Sequence, residues 1–269
     1  MRRLFGLKLI ALVMCALAFT TAAHADLIFT PQRIIIEPNE RSATISVVNS
    51  SNSVKAYTFD WIHTRMNEYG EVNEVVTNVG GSASFVVFSP SRITLRPGET
   101  QTIRLAVRRP AGLPAGEYRS HLRLNAEDLS PPALLASNTG GQGMAAQVNI
   151  ALGFTLPIIV RQGQGGANIT ATAVELRPQD AQVMVRFDRQ GAFSTFGNVH
   201  LFWRPDSTSQ LTPIGQLNGV AVYPEVSTIT RPIPLFPDHG ADLSRGELHV
   251  YYVDPNANNA VLSQTGVSL

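Results

Sequence analysis

The side chains that most often carry catalysis or bind metals are sparse in this sequence of 269 residues. Its six histidines stand singly, and no two have the spacing of a helical or hairpin zinc site. The stretch GGSASF lacks the last glycine of a serine nucleophile elbow, and GQGG lacks a full phosphate-binding fingerprint. Carboxylates that meet only in space stay open as a glycosidase pair. Otherwise the residues predict no enzyme, no metal site and no cofactor.

The first 25 residues have the pattern of a cleavable secretion signal. A basic start precedes the apolar run 9–19, and the sequence AHA ends the segment at Ala25. The run is shorter than the roughly 20 apolar residues of a membrane-spanning helix. Cys15 gives a lipoprotein only weak support, because it lies inside the run. We therefore predict a signal peptide over 1–25 and export to the periplasm.

The mature chain has to be stabilised by its core, because Cys15 is the only cysteine and it lies in the signal segment. The formal charge of +1 becomes −2 once Arg2, Arg3 and Lys8 are removed. This near balance gives no support for nucleic acid as a partner. Lys55 is then the only lysine, and every other cation of the mature chain is an arginine.

Short segments rich in β-branched and aromatic residues alternate with turns from Leu27 onward, which predicts an all-β fold. The stretch FVVFSPSRITLRPGETQTIRLAVRRP reads as two strands around the turn RPGE. Three glycines in QGQGGAN, after Arg161, interrupt the pattern before it restarts. We predict one sandwich domain over 26–162, a linker over 163–168 and a second over 169–269. The pattern alone leaves open a single larger sandwich.

The segment MAAQVNIALGFTLPIIVRQ, residues 144–162, places large apolar residues at every second position. Such alternation sends them to one face of a strand, whereas the residues between them are mostly small. This face fills either the protein's own core or the core of another protein. The five residues are Val148, Ile150, Leu152, Phe154 and Leu156.

Four stretches together resemble the periplasmic pilus-assembly chaperones of the chaperone–usher pathway, close to their archaic branch. They are RIIIEPNERSATISVVNSS, SPSRITLRPGETQTIRL, LPAGEYRSHLRL and IALGFTLPIIVRQG. The resemblance implies two immunoglobulin-like β-sandwich domains in an L-shaped arrangement. It also implies a chaperone that stabilises pilus subunits by donating an edge strand and delivers them to an outer-membrane usher.

Within this family likeness, the five alternating residues become the donor strand that enters the groove of an incomplete pilin. Burial of five such side chains would contribute on the order of 8–15 kcal/mol before the costs of ordering. An exposed apolar edge also invites pairing with a second copy, so we expect possible self-association through it.

The resemblance also implies an anchor for the subunit's C-terminal carboxylate, made in this family by an arginine and a lysine. Arg33 matches the arginine, whereas Pro157 occupies the place of the lysine. We expect Arg33 to act alone or with Arg92, and to add little to the stability of the empty chaperone. The alternative is an edge-strand arginine that only prevents aggregation.

An ionic network between the two domains is a further implication of the resemblance. Glu117, Arg161 and Asp242 fall at the matching positions, and Arg161 is assigned to this network rather than to the carboxylate. The disulfide of the family's second domain is absent, which leaves open how that domain closes.

Two other classes of protein stay open. A structural or adhesive pilus component would carry a longer alternating N-terminal extension than DLIFTPQRIII. A carbohydrate-binding β-sandwich would need a row of exposed aromatic residues, but Trp61 and Trp203 are the only tryptophans.

Overall fold

The computed structural model describes residues 27–77, 80–127 and 153–269. In these ranges the chain forms seventeen β-strands and one short 3-10 helix, Pro178–Asp180. The all-β prediction is confirmed, and the strands build two immunoglobulin-like sandwiches. The predicted signal peptide, and the donor positions Val148, Ile150 and Leu152, lie outside the described residues.

The first sandwich packs two sheets face to face. Its strands are β1 Leu27–Thr30, β2 Ile34–Ile36, β3 Ser42–Asn49, β4 Lys55–Met66, β5 Val72–Val75, β6 Val86–Ser89, β7 Arg92–Leu95, β8 Thr100–Val107, β9 Gly116–Glu127 and β10 Gly153–Gln162. One sheet has the order β1-β3-β8-β6, and the other has β2-β10-β9-β4-β5 with β7 also paired to β4. The core between them contains fully buried residues from both sheets, such as Ile103, Leu122 and Ile158.

Prolines divide two stretches that read as single strands in the sequence. Pro31 separates β1 from β2, and Pro90 separates β6 from β7. A proline cannot donate a hydrogen bond to a neighbouring strand, so the ladder stops there. In both cases the chain then crosses to the opposite sheet. The prediction of two strands around RPGE was therefore wrong, because three strands form and the two beside the turn belong to different sheets.

The second sandwich begins with β11, and four residues separate β11 from the end of β10. Its strands are β11 Ala167–Arg177, β12 Gln182–Gly191, β13 Thr195–Arg204, β14 Thr212–Val222, β15 Thr228–Pro234, β16 Glu247–Asp254 and β17 Ala260–Ser268. The sheets have the orders β11-β12-β15 and β14-β13-β16-β17. Its core includes the fully buried Phe187 and Tyr252, whose rings meet edge to face at 5.6 Å.

Hydroxyl groups join the last strand to the first strand of this second sandwich. The amide of Ala171 donates to Oγ of Ser263 at 2.9 Å, and the hydroxyl of Thr265 donates to the Ala171 carbonyl at 2.6 Å. These bonds connect β17 to β11 across the gap between the two sheets. The end of the chain is thus held by side-chain hydrogen bonds and by its pairing with β16.

Candidate functional site

Strand β10 has a partly open edge. Residues 153–162 all pair with β9 on one side, whereas on the other side β2 covers only Ile158, Ile159 and Val160. Within the described ranges, no strand pairs with the outer edge of Gly153–Pro157. Unpaired main-chain groups at such an edge can accept another strand. The open edge can therefore pair with a strand of another protein, and it lies in the segment where the sequence predicts strand donation.

The apolar face of β10 changes its surroundings along the strand. Leu156 is fully buried and belongs to the core of the first sandwich, where it lies opposite Leu122. Phe154 is half-buried at the margin of that core, and its ring meets Phe29 edge to face at 5.8 Å. The assignment of Leu156 to a partner's groove was wrong, because its side chain already has a buried place in this chain.

Arg33 extends from the residue before β2 to the second sandwich. Its Nη1 donates to the hydroxyl of Tyr223 at 3.0 Å, and its Nη2 donates to the hydroxyl of Ser194 at 2.7 Å. The guanidinium also lies 5.1 Å from the ring centre of Phe196. Arg33 thus joins the two sandwiches in the empty protein, and its small contribution to stability stays a prediction.

Arg33 has only neutral partners among the residues that the structure describes, and it forms no ion pair there. A half-buried cation without a carboxylate partner retains part of the cost of leaving water. Its Nε is also buried without a hydrogen-bond partner. This guanidinium is consequently well suited to receive a carboxylate from another molecule.

Arg92 does not lie beside Arg33. It begins β7, at the far side of the sheet, and its Nε and Nη2 both donate to Oε2 of Glu127, at 2.9 and 2.6 Å. Strands β4, β9 and β10 separate β7 from β2, which corresponds to about 19 Å at the usual strand spacing. The pairing of Arg33 with Arg92 as one anchor was therefore wrong on geometric grounds.

Arg161 and Glu117 form the predicted contact at the end of β10. Nε of Arg161 lies 3.3 Å from Oε2 of Glu117, whose side chain is fully buried. The same carboxylate oxygen accepts hydrogen bonds from the amide and the hydroxyl of Ser194, each at 2.9 Å. Nη1 of Arg161 donates to Glu37 at 2.9 Å. The network thus joins the sandwiches through Ser194 rather than through a second acidic residue.

Asp242 has no part in this network. It lies in an exposed loop and pairs with Arg245 at 2.9 Å, three residues along the chain. Hydrogen bonds from Ser244 lower its pKa by stabilising the ionised carboxylate. The assignment of Asp242 was therefore wrong, and Glu37 is the acidic residue that Arg161 contacts in addition to Glu117.

A second ionic contact between the sandwiches involves residues that the sequence analysis did not select. Arg119 is almost completely buried, and its Nη2 donates to Oε1 of Glu225 and to the carbonyl of Thr64. Its guanidinium stacks on the ring of Tyr223 at 3.4 Å from the centroid. Arg33 lies 5.2 Å from the same ring, so Tyr223 contacts two cations of the first sandwich. In the sequence Arg119 looks like one of the polar residues that alternate along β9.

His121 lies on the same face of β9 as Arg119, and it pairs with Pro157 of β10. Nδ1 lies 2.7 Å from the hydroxyl of Thr64. Burial, followed by the charges of Arg119 and Arg33, lowers the pKa of this imidazole to about 3. His121 is therefore neutral at physiological pH and does not add a third positive charge to those of Arg119 and Arg33.

The low pKa of His121 predicts a loss of stability in acid. The unfolded chain binds a proton near pH 6.5 and the folded chain only near pH 3, so stability falls as the pH drops through this range. At pH 4.5 the loss should reach about 3 kcal/mol, since each pKa unit corresponds to about 1.4 kcal/mol. Urea unfolding at pH 7 and pH 4.5 measures it, with His121→Asn as the variant lacking this titration. Equal acid losses in both proteins would contradict the assignment.

The described residues contain neither a membrane-spanning helix nor a metal-binding cluster. No helix in 27–77, 80–127 or 153–269 is long and apolar enough to cross a membrane. The same ranges contain no group of three His, Cys, Asp or Glu residues arranged to hold a metal ion.

Comparison with known proteins identifies the class of protein that has this fold. The space between the two sandwiches, where Arg33 and Arg119 meet Tyr223, is called the cleft below. The family model described as "Pili and flagellar-assembly chaperone, PapD N-terminal domain" matches residues 26–162. The match covers half of the chain, and the protein belongs to this family. A search of curated proteins finds no match.

Solved structures of similar proteins include several chaperones at low identity. The Pseudomonas aeruginosa CupB2 chaperone is 13% identical, with a TM-score of 0.44, over 90% of this chain and 98% of its own. A chain from the Salmonella enterica SafA pilin–SafB chaperone complex is 14% identical, with a TM-score of 0.46, over 93% and 99%. A chain from the CsuC–CsuE chaperone–tip adhesion subunit complex of Acinetobacter baumannii is 13% identical, with a TM-score of 0.42, over 77% and 89%.

Proposed function

We propose that this protein captures pilus subunits in the periplasm by strand donation from β10 and delivers them to an outer-membrane usher. The observation that carries the proposal is Arg33, a half-buried cation between the two sandwiches whose partners in the described part of the chain are all neutral. Membership of the pilus-chaperone family supports the class of partner.

The capture site combines a main-chain edge with a charged anchor. The open edge of Gly153–Pro157 can pair with a strand of the subunit, and the preceding positions Val148, Ile150 and Leu152 would fill its groove. The register places Arg33 one residue before Ile34, which pairs with Ile158. The guanidinium therefore lies beside the end of the open edge, where a subunit's terminal carboxylate can reach it.

Arg33 is the one cation free for this role among three arginines that extend from the first sandwich to the second. In the described residues Arg119 pairs with Glu225, and Arg161 pairs with Glu117 and Glu37. An arginine binds a carboxylate through parallel N–H bonds, each contributing about 1.5–3 kcal/mol as a charged hydrogen bond. An external carboxylate would give Arg33 the compensation that the other two already have.

The periplasmic assignment and the domain limits complete the proposal. The signal pattern of residues 1–25 supports export with cleavage after Ala25. We place the chaperone domain at 26–162, the linker at 163–168 and the second domain at 169–269. The change from one set of sheets to the other between Gln162 and Ala167 supports this division.

Replacement of Arg33 with alanine should reduce retention of co-expressed pilus subunits at least tenfold, because the carboxylate loses its charged donor. Purified chaperone and its retained subunit are quantified after pull-down at a temperature where the variant is folded. Arg186→Ala is the matched control, since Arg186 is exposed and, among the residues that the structure describes, its ion pair is with Asp188. Normal retention by Arg33→Ala would show that the donated strand alone supplies the affinity.

A further inference from the structure

Pro157 offers neither a charge nor an N–H group to a carboxylate bound at the end of the open edge. Leu156 and Ile158 point into the core, so Pro157 between them faces the cleft. It lies between Arg33 on the β2 side and His121 on β9. A carboxylate bound over Pro157 would therefore have Arg33 on one side and would leave one oxygen for another donor.

The two basic side chains beside Pro157 do not supply a second charged donor. His121 is neutral, because burial and nearby arginines lower its pKa, and its Nδ1 contacts the hydroxyl of Thr64. Arg119 is covered by the ring of Tyr223 and is paired with Glu225, with 6% of its side chain exposed. The second sandwich closes this side of the cleft and is the other source of a hydrogen-bond donor.

Two hydroxyl groups of the second sandwich contact Arg33, and they differ in how their protons are used. The hydroxyl of Ser194 donates to Glu117 at 2.9 Å while it accepts from Arg33. The hydroxyl of Tyr223 accepts from Arg33 at 3.0 Å, and no group in the described part of the chain accepts its proton. A phenol hydroxyl can donate and accept at the same time. Tyr223 therefore has an unused donor beside an uncompensated cation.

We propose that Tyr223 is the second hydrogen-bond donor for the subunit's terminal carboxylate, in place of the cation that position 157 lacks. One carboxylate oxygen accepts from the Arg33 guanidinium, and the other accepts from the Tyr223 hydroxyl, which lies 3.0 Å from Nη1 of Arg33. This arrangement rests on the proposed function. The site is then built by both sandwiches.

The charges around Tyr223 favour an anion at this place. Arg119 and Arg33 lie 3.4 and 5.2 Å from its ring centroid, and the nearest acidic partner, Glu225, is already paired with Arg119. Burial strengthens a charged hydrogen bond because the local dielectric constant is low. Tyr223 is 4% exposed as a residue, so its surroundings are poorly hydrated.

The test uses Tyr223→Phe, which removes the hydroxyl and keeps the ring between the two arginines. The probe is the pilus subunit that the wild-type chaperone retains on co-expression, in its native form and with a Gly-Gly-Ser tail that displaces the carboxylate. The rate of subunit release into an excess of differently tagged chaperone is measured. We expect about tenfold faster release of the native subunit and an unchanged rate for the tailed one.

Ser194→Ala is the control, because it also removes a hydroxyl that accepts from Arg33 but has no free proton to donate. A smaller effect than that of Tyr223→Phe supports the proposal. An equal effect, equal acceleration for the tailed subunit, or slower release by Tyr223→Phe would overturn it. If Arg33→Ala accelerates release of the native subunit but not of the tailed one, and Tyr223→Phe accelerates neither, this inference fails while the proposed function stands. If wild-type chaperone itself releases both forms alike, the carboxylate anchor of the proposed function fails.

Discussion

Replacement of Leu156 with alanine is expected to lower the free energy of unfolding by about 2–5 kcal/mol, the range for a leucine truncated inside a packed core. The side chain is fully buried against Leu122 and its neighbours, so the variant would leave a cavity that the two sheets cannot close easily. Urea unfolding of the purified protein measures the loss.

Leu152→Asp is the matched variant on the same predicted face of the segment, four residues earlier. As a donor residue it should leave the free energy of unfolding nearly unchanged, while subunit retention falls strongly because a charge would enter the partner's apolar groove. Similar destabilisation by both variants would place Leu152 in the protein's own core and contradict the donor assignment. The pair thus locates the point at which the chaperone's core ends and the partner's core begins.

The sequence predicts the strands well because their signals are local. Alternation and turn residues are enough to identify β8, β9 and the described part of β10 as strands. They do not reveal that the chain changes sheets at Pro31 and Pro90, since either sheet satisfies the same alternation. Leu156 shows the same limit, because period two assigns a face but does not say which protein covers it.

The charged residues of the cleft depend on contacts that are distant in sequence. Arg33 and Arg161 were found through the family likeness. Their shared partner Ser194 lies 33 residues beyond Arg161, and a lone serine at that distance gives no local signal. Asp242 is acidic and lies in a loop, as the prediction required, yet a local pairing with Arg245 satisfies it. Arg119 and Tyr223 gave no local signal, since only the approach of the two sandwiches brings them together.

Arg119→Ala is expected to lower the free energy of unfolding by about 3–5 kcal/mol, the cost of removing one partner from a buried ion pair. Glu225, with 16% of its side chain exposed, would lose its cation and would retain the Met66 amide as a donor. Urea unfolding measures the loss. The control is Arg92→Ala, because that arginine is 64% exposed in its pair with Glu127 and should cost less than about 1 kcal/mol.

The double variant Arg119→Met, Glu225→Gln separates the ion pair from the packing around it. Methionine keeps an apolar chain under the Tyr223 ring, and glutamine keeps an acceptor for the Met66 amide. Because no unpaired charge is then buried, we expect the double variant to be more stable than Arg119→Ala. If it is less stable than the wild-type protein, the ion pair contributes net stabilisation across the cleft. If Arg119→Ala costs no more than Arg92→Ala, the pair does not hold the sandwiches together, and Tyr223 must be positioned by its contacts with Arg33 and its own strand neighbours.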